Sequence, residues 1–201
     1  MNNNYSDKCE EILNSLDGKK RLLLHSCCGP CSSYVITYLT KFFDITILYY
    51  NPNIFPYNEY LKRKEEQIRL INEIDTENSL DIIDCDYDND LYEKLIKGLE
   101  QEPERGKRCN VCYLMRLDKT AAIAKENGYD FFCTTLSVSP YKNANLINEY
   151  GSSLEDKYRV RWLYSDFKKK DGYKQSILLS QKYNLYRQNY CGCIYSKNNL
   201  K

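Results

Sequence analysis

Long hydrophobic runs are missing from this chain of 201 residues. Its longest apolar stretches, such as residues 45–50, fall far short of the about 20 residues that a membrane-spanning helix needs. The first residues also lack a basic segment followed by an apolar run, which is the pattern of a secretory signal. These absences predict a cytoplasmic protein with no membrane association.

An excess of charge of either sign is missing too, because 29 basic side chains are balanced by 28 acidic ones. This balance argues against coating of nucleic acid in bulk, although it leaves room for a local basic face. Hydrophobic residues make up 42% of the chain, which excludes disorder for most of it. The length predicts a single domain over residues 1–201, with residues 1–18 and 197–201 at its periphery.

Short apolar or β-branched runs alternate with amphipathic segments along the chain. Strands are predicted at residues 21–25, 44–50, 80–84, 129–138 and 159–163. The helix predicted over residues 57–74 is expected to face inward with Leu61, Ile68 and Ile71. This alternation is typical of a Rossmann-like parallel sheet flanked by helices, in which ligands bind at the carboxyl ends of the strands. Residues 26–31 follow the first strand, so a metal site is expected at that edge.

Cysteine, by contrast, is abundant, with ten residues in the chain. Without an export signal these thiols are expected to stay reduced, and closely spaced cysteines are then more often metal-binding or catalytic than disulfide-bonded. Seven of them form three tight groups: Cys27, Cys28 and Cys31; Cys109 and Cys112; Cys191 and Cys193. The three solitary residues, Cys9, Cys85 and Cys133, are expected to be small buried hydrophobes.

Several kinds of thiol chemistry could use these groups. Cys28-Gly-Pro-Cys31 has the form of a thioredoxin-like dithiol, but it accounts for only two of the seven grouped cysteines. A structural zinc site built from two Cys-x-x-Cys pairs would leave Cys191 and Cys193 without a role. An iron–sulfur cluster needs four thiolates, and the surplus then suggests a second metal nearby. A thiol–disulfide oxidoreductase and a zinc-bound nucleic-acid module remain the alternatives.

Two familiar signatures are absent. The Cys-x3-Cys-x2-Cys spacing of radical-SAM enzymes stops at Cys31, because no third cysteine follows. The loop after the first strand also lacks the Ser-Gly-Gly-x-Asp-Ser pattern of ATP-pyrophosphatases, having neither a pair of glycines nor an acidic metal ligand. Both of these enzyme classes are therefore disfavoured.

Five segments, in this order, resemble the QueH-type epoxyqueuosine reductases over about residues 19–196. They are LLLHSCCGPCSSYV at 22–35, RCNVCYLMRL at 108–117, TTLSVSPYKN at 134–143, DFKKKDGYKQS at 166–176 and LYRQNYCGC at 185–193. The resemblance implies reduction of the epoxide of epoxyqueuosine to an alkene, at the wobble position of a tRNA anticodon. It further implies that this is the final step of queuosine biosynthesis, with a [4Fe-4S] cluster and an adjacent mononuclear iron as cofactors.

Carried over residue by residue, the resemblance places metal ligands at Cys27, Cys28, Cys109, Cys112, Cys191 and Cys193, with Cys31 as a further ligand. The motifs do not divide these ligands between two metals. Because neighbouring side chains diverge at the end of a strand, we expect each close pair to straddle both metals. In that partition the cluster ligands are Cys28, Cys109, Cys112 and Cys191. The ligands of the single iron are Cys27, Cys31 and Cys193.

The remaining roles fall to polar and aromatic residues. Tyr141 and Asp166 are the candidate proton donors, and the single histidine, His25, is a candidate to tune the cluster through a hydrogen bond. Tyr141, Trp162 or Tyr190 could stack on a base that is splayed out of the tRNA. Candidate phosphate contacts are the basic runs at 62–64, 105–108 and 168–170. An external electron donor such as ferredoxin or flavodoxin is implied.

Overall fold

The computed structural model of the chain describes residues 4–198, apart from the side chain of Asn198. Its strands are β1 (Lys20–His25), β2 (Phe43–Tyr49), β3 (Leu80–Asp84), β4 (Phe131–Thr134) and β5 (Arg161–Trp162). They form one sheet in the order β3-β2-β1-β4-β5, and every neighbouring pair is parallel. The predicted α/β class with a parallel sheet is confirmed.

Helices fill the connections between the strands. They are α1 (Tyr5–Asn14), α2 (Gly29–Leu39), α3 (Tyr57–Glu73), α4 (Asn89–Leu95), α5 (Lys107–Glu126), α6 (Ala144–Tyr158), α7 (Gly172–Lys182) and α8 (Ile194–Asn198). Helix α2 packs against α3 and α7, whereas α5 packs against α6, β1 and β4. Within residues 4–198, none of the helices combines the length and the apolar character that crossing a bilayer requires.

The centre of the sheet positions the site. Leu22, Leu23 and Leu24 of β1 are fully buried, as expected for a strand that is covered on both faces. The chain runs from β1 outward to β2 and β3 on one side, and β4 then pairs with β1 on the other side. The strand order therefore reverses between β1 and β4, and parallel sheets bind ligands in the crevice at such a point. His25 and Thr134 are the last residues of the two strands that flank it.

The elements on either side of the site have clear local causes. Helix α2 begins at Gly29, because Pro30 in its first turn has the fixed backbone angle that suits a helix start. Strand β4 ends at Thr134 and does not run on to residue 138. The Thr134 hydroxyl accepts a hydrogen bond from the Leu136 amide and turns the chain into a 3-10 helix, Thr135–Val138.

The amino-terminal segment packs more tightly than its predicted peripheral position implies. Cys9 and Leu13 of α1 are each 4% exposed and belong to the main hydrophobic core. Their spacing of four residues puts both side chains on one face of the helix, and this face packs against the main hydrophobic core. The predicted domain also includes residues 1–3 and 199–201, which lie outside the described residues.

Candidate metal centre

Three cysteines meet where β1 passes into α2, and we call Cys27, Cys28 and Cys31 the junction thiols. Their Sγ atoms all lie within 4.8 Å of one another, and the Sγ atoms of Cys27 and Cys28 are 3.8 Å apart. Cys28 has extended backbone and caps the start of α2, so the chain bends sharply between the strand and the helix. The amino end of a helix carries partial positive charge, which favours thiolate there.

Neighbouring polar groups orient the junction thiols. The Gln188 Nε2 atom donates to Cys28 Sγ over 3.0 Å, and the Cys27 amide donates to the Thr135 hydroxyl over 3.3 Å. Hydrogen bonds from the thiols of Cys27 and Cys31 hold the pKa of Cys28 well below its usual value. Hydrogen bonds with Cys27 and Cys28 raise the pKa of Cys31 well above its usual value. Cys28 is therefore the member of the trio that most readily carries the negative charge a metal ligand needs.

Four further cysteines form the second group, with Cys109 and Cys112 (the helix thiols) in the first two turns of α5 and Cys191 and Cys193 (the loop thiols) after α7. Cys193 packs with Cys112 in a small core that excludes water. Burial raises the pKa of Cys112 to about 12, and the charges of Cys191, Cys193 and Cys109 add to this effect. The other three thiols of this group therefore lie within electrostatic reach of Cys112.

A glycine lets the loop thiols approach the rest of the molecule. Gly192 has a φ of +128°, and a Cβ built there would lie 3.0 Å from both Arg63 Nη1 and Ile54 Cγ1. The guanidinium of Arg63 donates to the Cys191 carbonyl over 3.1 Å, and the Phe55 amide donates to the Gly192 carbonyl over 2.9 Å. The loop is thus fixed to α3 and to the segment after β2 by polar contacts.

Buried cations surround both groups of thiols. Arg63, Arg108 and Arg116 are each at most 2% exposed, and each has at least one guanidinium nitrogen without a hydrogen-bond partner. The Lys142 side chain is 8% exposed, and its Nζ donates to Cys191 Sγ over 3.1 Å. Within residues 4–198, neither Arg108 nor Arg116 has a carboxylate oxygen within 4.0 Å of its guanidinium.

Such buried cations need compensating negative charge, because burying an unpaired ion costs several kcal/mol. The seven grouped thiols are the groups available to carry it, and they do so when deprotonated. Metal binding requires deprotonated thiols. The partnerless guanidinium nitrogens and the chemistry of the donor set therefore fit a thiolate metal centre. This fit supports metal binding by the Cys27, Cys28 and Cys31 group in particular, whose sulfur atoms are already close enough to share one ion.

A cavity of about 440 Å³ opens beside the thiols, and Cys27, Cys31 and Cys191 line it. This volume suits a small ring system rather than a long chain. Arg116 and Lys142 line the same cavity. The cavity thus combines candidate metal ligands with two fixed positive charges.

The predicted site residues divide between this cavity and other places. Tyr141 lines the cavity, is 60% exposed, and has the Arg105 guanidinium 5.6 Å from its ring centroid. Tyr190 lines the same cavity. Asp166 lines a separate cavity and pairs with Lys168.

Trp162, predicted as a possible stacking residue, is instead a core residue. It is 1% exposed, and its indole occupies the space beside Gly151, where an added Cβ would lie 2.1 Å from the ring. A base in the substrate therefore has no access to this ring. His25 is buried as well, between the Thr134 hydroxyl at 2.8 Å and the Tyr50 carbonyl at 3.1 Å. Burial, together with the charge of Arg116, lowers the pKa of His25 to about 3, so the ring is neutral.

The basic runs predicted to contact phosphate are partly occupied by internal partners. Arg63 and Arg108 are buried. Lys64 pairs with Asp84 over 2.5 Å, and Lys170 pairs with Glu10. Much of the charge in the runs at 62–64, 105–108 and 168–170 is therefore used within the fold.

The thiols group differently from the predicted partition. That partition joined Cys28 to the helix thiols and joined Cys193 to Cys27 and Cys31. In the structure Cys28 lies with Cys27 and Cys31, and Cys193 packs against Cys112. The reason is local: the tight turn at the start of α2 directs both neighbouring cysteines toward Cys31, so this pair does not diverge as an extended strand would.

Sequence reasoning also missed several residues around the thiols. Arg108 and Arg116 each stand four residues from Cys112 on α5, so the helical spacing already places them on one face with it. Lys142 adjoins the predicted Tyr141 but was not singled out. Gln188 offers no signal, because its contact with Cys28 joins residues 160 positions apart.

The fold and the site together define an α/β protein with a candidate thiolate metal centre at the carboxyl edge of a parallel sheet. Comparison with known proteins identifies the family. A family model described as epoxyqueuosine reductase QueH matches residues 22–199. The chain belongs to this family, and it is an oxidoreductase.

Curated relatives agree with this assignment. An epoxyqueuosine reductase QueH from Staphylococcus epidermidis is 42% identical over 200 residues, covering 96% of this chain and 84% of its own length. The proteins of the same name from Streptococcus pyogenes and Thermotoga maritima are 44% and 35% identical, covering 87% of this chain and 69% and 89% of their own lengths. A solved structure, a predicted subunit of a tRNA methyltransferase from Methanocaldococcus jannaschii, matches with a TM-score of 0.49 and 16% identity, covering 80% of this chain and 76% of its own. That likeness is too low to support a conclusion.

Proposed function

We propose that this chain reduces the epoxide of epoxyqueuosine, at the wobble position of a tRNA anticodon, to the alkene of queuosine. The observation that carries the proposal is that Cys27, Cys31 and Cys191, from two distant segments that each hold further cysteines, line one cavity in a member of the QueH family. The reaction breaks both carbon–oxygen bonds of the epoxide, takes up two electrons and two protons, and releases the oxygen as water. A redox cofactor held by these thiolates would pass the electrons from an external carrier to the epoxide.

The grouping of the thiols supports an assignment of the two metals. We assign the mononuclear iron to the junction thiols, and the [4Fe-4S] cluster to the helix thiols and the loop thiols. Three thiolates leave a coordination position free for a ligand, as a catalytic metal needs, whereas four thiolates complete a cluster. When bound, these groups supply single electrons and a Lewis acid for the epoxide oxygen.

The side chains around the cavity bind and orient the substrate in this proposal. Tyr141 and Tyr190 offer aromatic faces on which the splayed wobble base stacks. Arg105 beside Tyr141, and Arg187 on the cavity wall, are placed to contact neighbouring phosphates. Of the two candidate proton donors, Tyr141 is the one that shares the cavity with the thiols, and we assign proton delivery to its hydroxyl rather than to Asp166.

Two partners complete the proposal. One is the tRNA itself, whose binding should weaken with salt because each phosphate contact releases counterions. The other is a small electron carrier of the ferredoxin or flavodoxin type, since the reductant must come from outside the chain. We place the activity in the cytoplasm, where tRNA is modified.

The test begins with anaerobic purification and measurement of iron and sulfide. We expect about five irons and four sulfides per chain, from one cubane cluster and one further ion. Incubation with dithionite and tRNA that carries epoxyqueuosine should yield a nucleoside that has lost one oxygen, detected by mass spectrometry. Cys28→Ala should abolish this conversion, whereas the matched variant Cys85→Ala, outside both thiol groups, should retain it.

The rival functions give different results in the same experiment. A metal-free chain that reduces insulin would indicate a Cys28–Cys31 dithiol oxidoreductase. A colourless chain with stoichiometric zinc would indicate a zinc-bound nucleic-acid module. An iron-loaded chain that leaves the epoxide of the tRNA intact would contradict the proposed substrate.

A further inference from the structure

Arg116 lies between the two groups of thiols. It follows Cys112 by one turn of α5, and its Nε donates to the Cys112 carbonyl over 3.1 Å. Its Nη1 approaches the Asn51 Oδ1 atom at 3.5 Å, and the Asn51 amide donates in turn to the Ser26 carbonyl beside the junction thiols. The guanidinium is therefore held in one orientation by backbone and side-chain groups from both sides of the site.

Among the described residues 4–198, no acid forms an ion pair with Arg116. The side chain is 2% exposed, and its Nη2 has no hydrogen-bond partner. Burial alone would lower the pKa of Arg116, but the charges of Cys112, Cys191 and Cys27 outweigh this effect and raise it. These three residues come from the helix thiols, the loop thiols and the junction thiols respectively. Arg116 thus acts electrostatically on all three segments.

The other three buried cations, Arg63, Arg108 and Lys142, do not combine these two properties. Arg63 has its own carboxylate, with Nε 2.7 Å from Glu59. Lys142 lies 3.7 Å from Glu104. Arg108 donates to main-chain carbonyls before α5, including that of Glu100 at 2.9 Å. Arg116 alone among these four combines the lack of an acidic partner with charge contacts to both groups of thiols.

We propose that Arg116 is a positioning residue that sets the reduction potential of the metal centre. Its fixed positive charge favours the reduced state, because reduction adds one negative charge to a site where water does not screen the attraction. Removing that charge should therefore lower the midpoint potential and leave the ligands in place. The inference rests on the metal centre of the proposed function, but not on the identity of the substrate.

The test compares midpoint potentials of the iron-loaded chain in anaerobic titrations without tRNA. Arg116→Gln should lower the ratio of reduced to oxidised centre at least tenfold at a given potential, which is a shift of about 59 mV for a one-electron couple. Arg116→Lys keeps the charge, so its ratio should stay within about threefold of the parent. Lys119→Gln, an exposed residue on the same helix, is the matched control and should leave the midpoint unchanged because solvent screens its charge.

The possible results of this test either support or contradict the proposed role of Arg116. Equal midpoints for Arg116→Gln and the parent, or an Arg116→Lys midpoint as low as that of Arg116→Gln, would overturn the inference. If Arg116→Gln folds without iron, the test rests on Arg116→Lys. An iron-loaded Arg116→Lys chain with the midpoint potential of the parent supports the role of charge. A tenfold fall in its ratio of reduced to oxidised centre, or failure to bind iron, contradicts that role. A parent without iron contradicts the metal centre of the proposed function itself. Loss of activity toward tRNA with the expected shift intact contradicts only the proposed substrate.

Discussion

The junction thiols and the loop thiols belong to one site but are supported in different ways. The junction thiols follow β1, whose leucines are fully buried, and α2 begins directly behind them. Their positions are therefore part of the core of the fold. The loop thiols lie after the last strand, on a segment without regular secondary structure between α7 and α8. Side chains of α3 hold that segment in place.

The loop segment is held by polar contacts as well as by the burial of Leu185 and Cys193. Besides Arg63 and the Cys191 carbonyl, Arg69 Nη2 donates to the Tyr183 carbonyl over 3.0 Å, and the Tyr186 amide donates to Glu66 over 2.5 Å. Each of these hydrogen bonds involves a charged group and contributes about 1.5–3 kcal/mol net where solvent does not screen it. A metal that binds thiols of both regions adds to this docking by mass action. The difference teaches that one half of the site is fixed by the core of the fold, whereas the other half depends on docking contacts that a bound metal would strengthen.

The largest expected effect comes from breaking the buried ion pair that anchors the loop. Arg63→Met should cost about 3 kcal/mol in the free energy of unfolding, because it leaves the Glu59 carboxylate, 13% exposed, without its partner. Urea unfolding measures this loss. Arg69→Met, whose side chain is 37% exposed, is the matched control and should cost about 1 kcal/mol or less. Equal losses in the two variants would show that burial of the pair is not what anchors the loop.

A smaller effect is expected from Gly192. Gly192→Ala places a Cβ on a residue at positive φ, 3.0 Å from Arg63 Nη1. We expect this strain to weaken the docking of the loop by about 2 kcal/mol. Iron content should fall below half of the parent value while the unfolding temperature barely changes. Gly98→Ala is the control, because Gly98 also has positive φ (+84°) but has open space around it. Full iron content in Gly192→Ala would mean that the loop accommodates the methyl group.

Metal removal should separate the two regions directly. Chelation is expected to raise the rate of proteolytic cleavage within residues 183–193 by about tenfold or more, which corresponds to about 1.4 kcal/mol of lost docking free energy. Residues 20–25 should stay protected, because β1 does not depend on metal for its burial. Mass spectrometry of the fragments locates the cuts. Simultaneous cleavage at both places would indicate that the metal stabilises the whole fold.

The smallest effect belongs to a cysteine outside both regions. Cys133 lies within β4, is fully buried, and donates to the Leu163 carbonyl over 3.3 Å. Cys133→Ala should cost about 1 kcal/mol in stability through the lost contacts and leave the iron and sulfide content unchanged. A loss of iron in a chain that keeps its fold would place Cys133 in the metal centre, contrary to the grouping described above.

The comparison also explains which parts of the molecule could be predicted from the sequence. Both β1 and the turn into α2 are local features, since a run of leucines ends at closely spaced cysteines. The convergence of the carboxyl ends of β1 and β4 follows from the rules for parallel sheets. What the motif spacing could not provide was the direction of each thiol, which depends on the sharp bend at Cys28.

Helix α3 shows why other features of the fold could not be predicted from the sequence. Hydrophobic spacing predicted that Ile68 faces inward, yet it is 37% exposed, whereas Arg63 and Gln67 are buried. The reason is that part of the inner face of α3 meets polar structure: the Gln67 Oε1 atom accepts hydrogen bonds from the hydroxyls of Ser26 and Ser32 at 2.6 and 2.8 Å. Polar contacts between residues that are distant in the sequence produce no periodic pattern along it.

The order of the cysteines along the chain has a consequence for biosynthesis. A ribosome releases Cys27, Cys28 and Cys31 before β2 exists, and releases Cys191 only after β5. A metal centre that draws on both regions is therefore completed only after translation of the whole sheet. Until then the early thiols, within 4.8 Å of one another once β1 and α2 have formed, are exposed to oxidation to a disulfide. The early thiols are therefore the ones that wait longest for the remaining cysteines of the site.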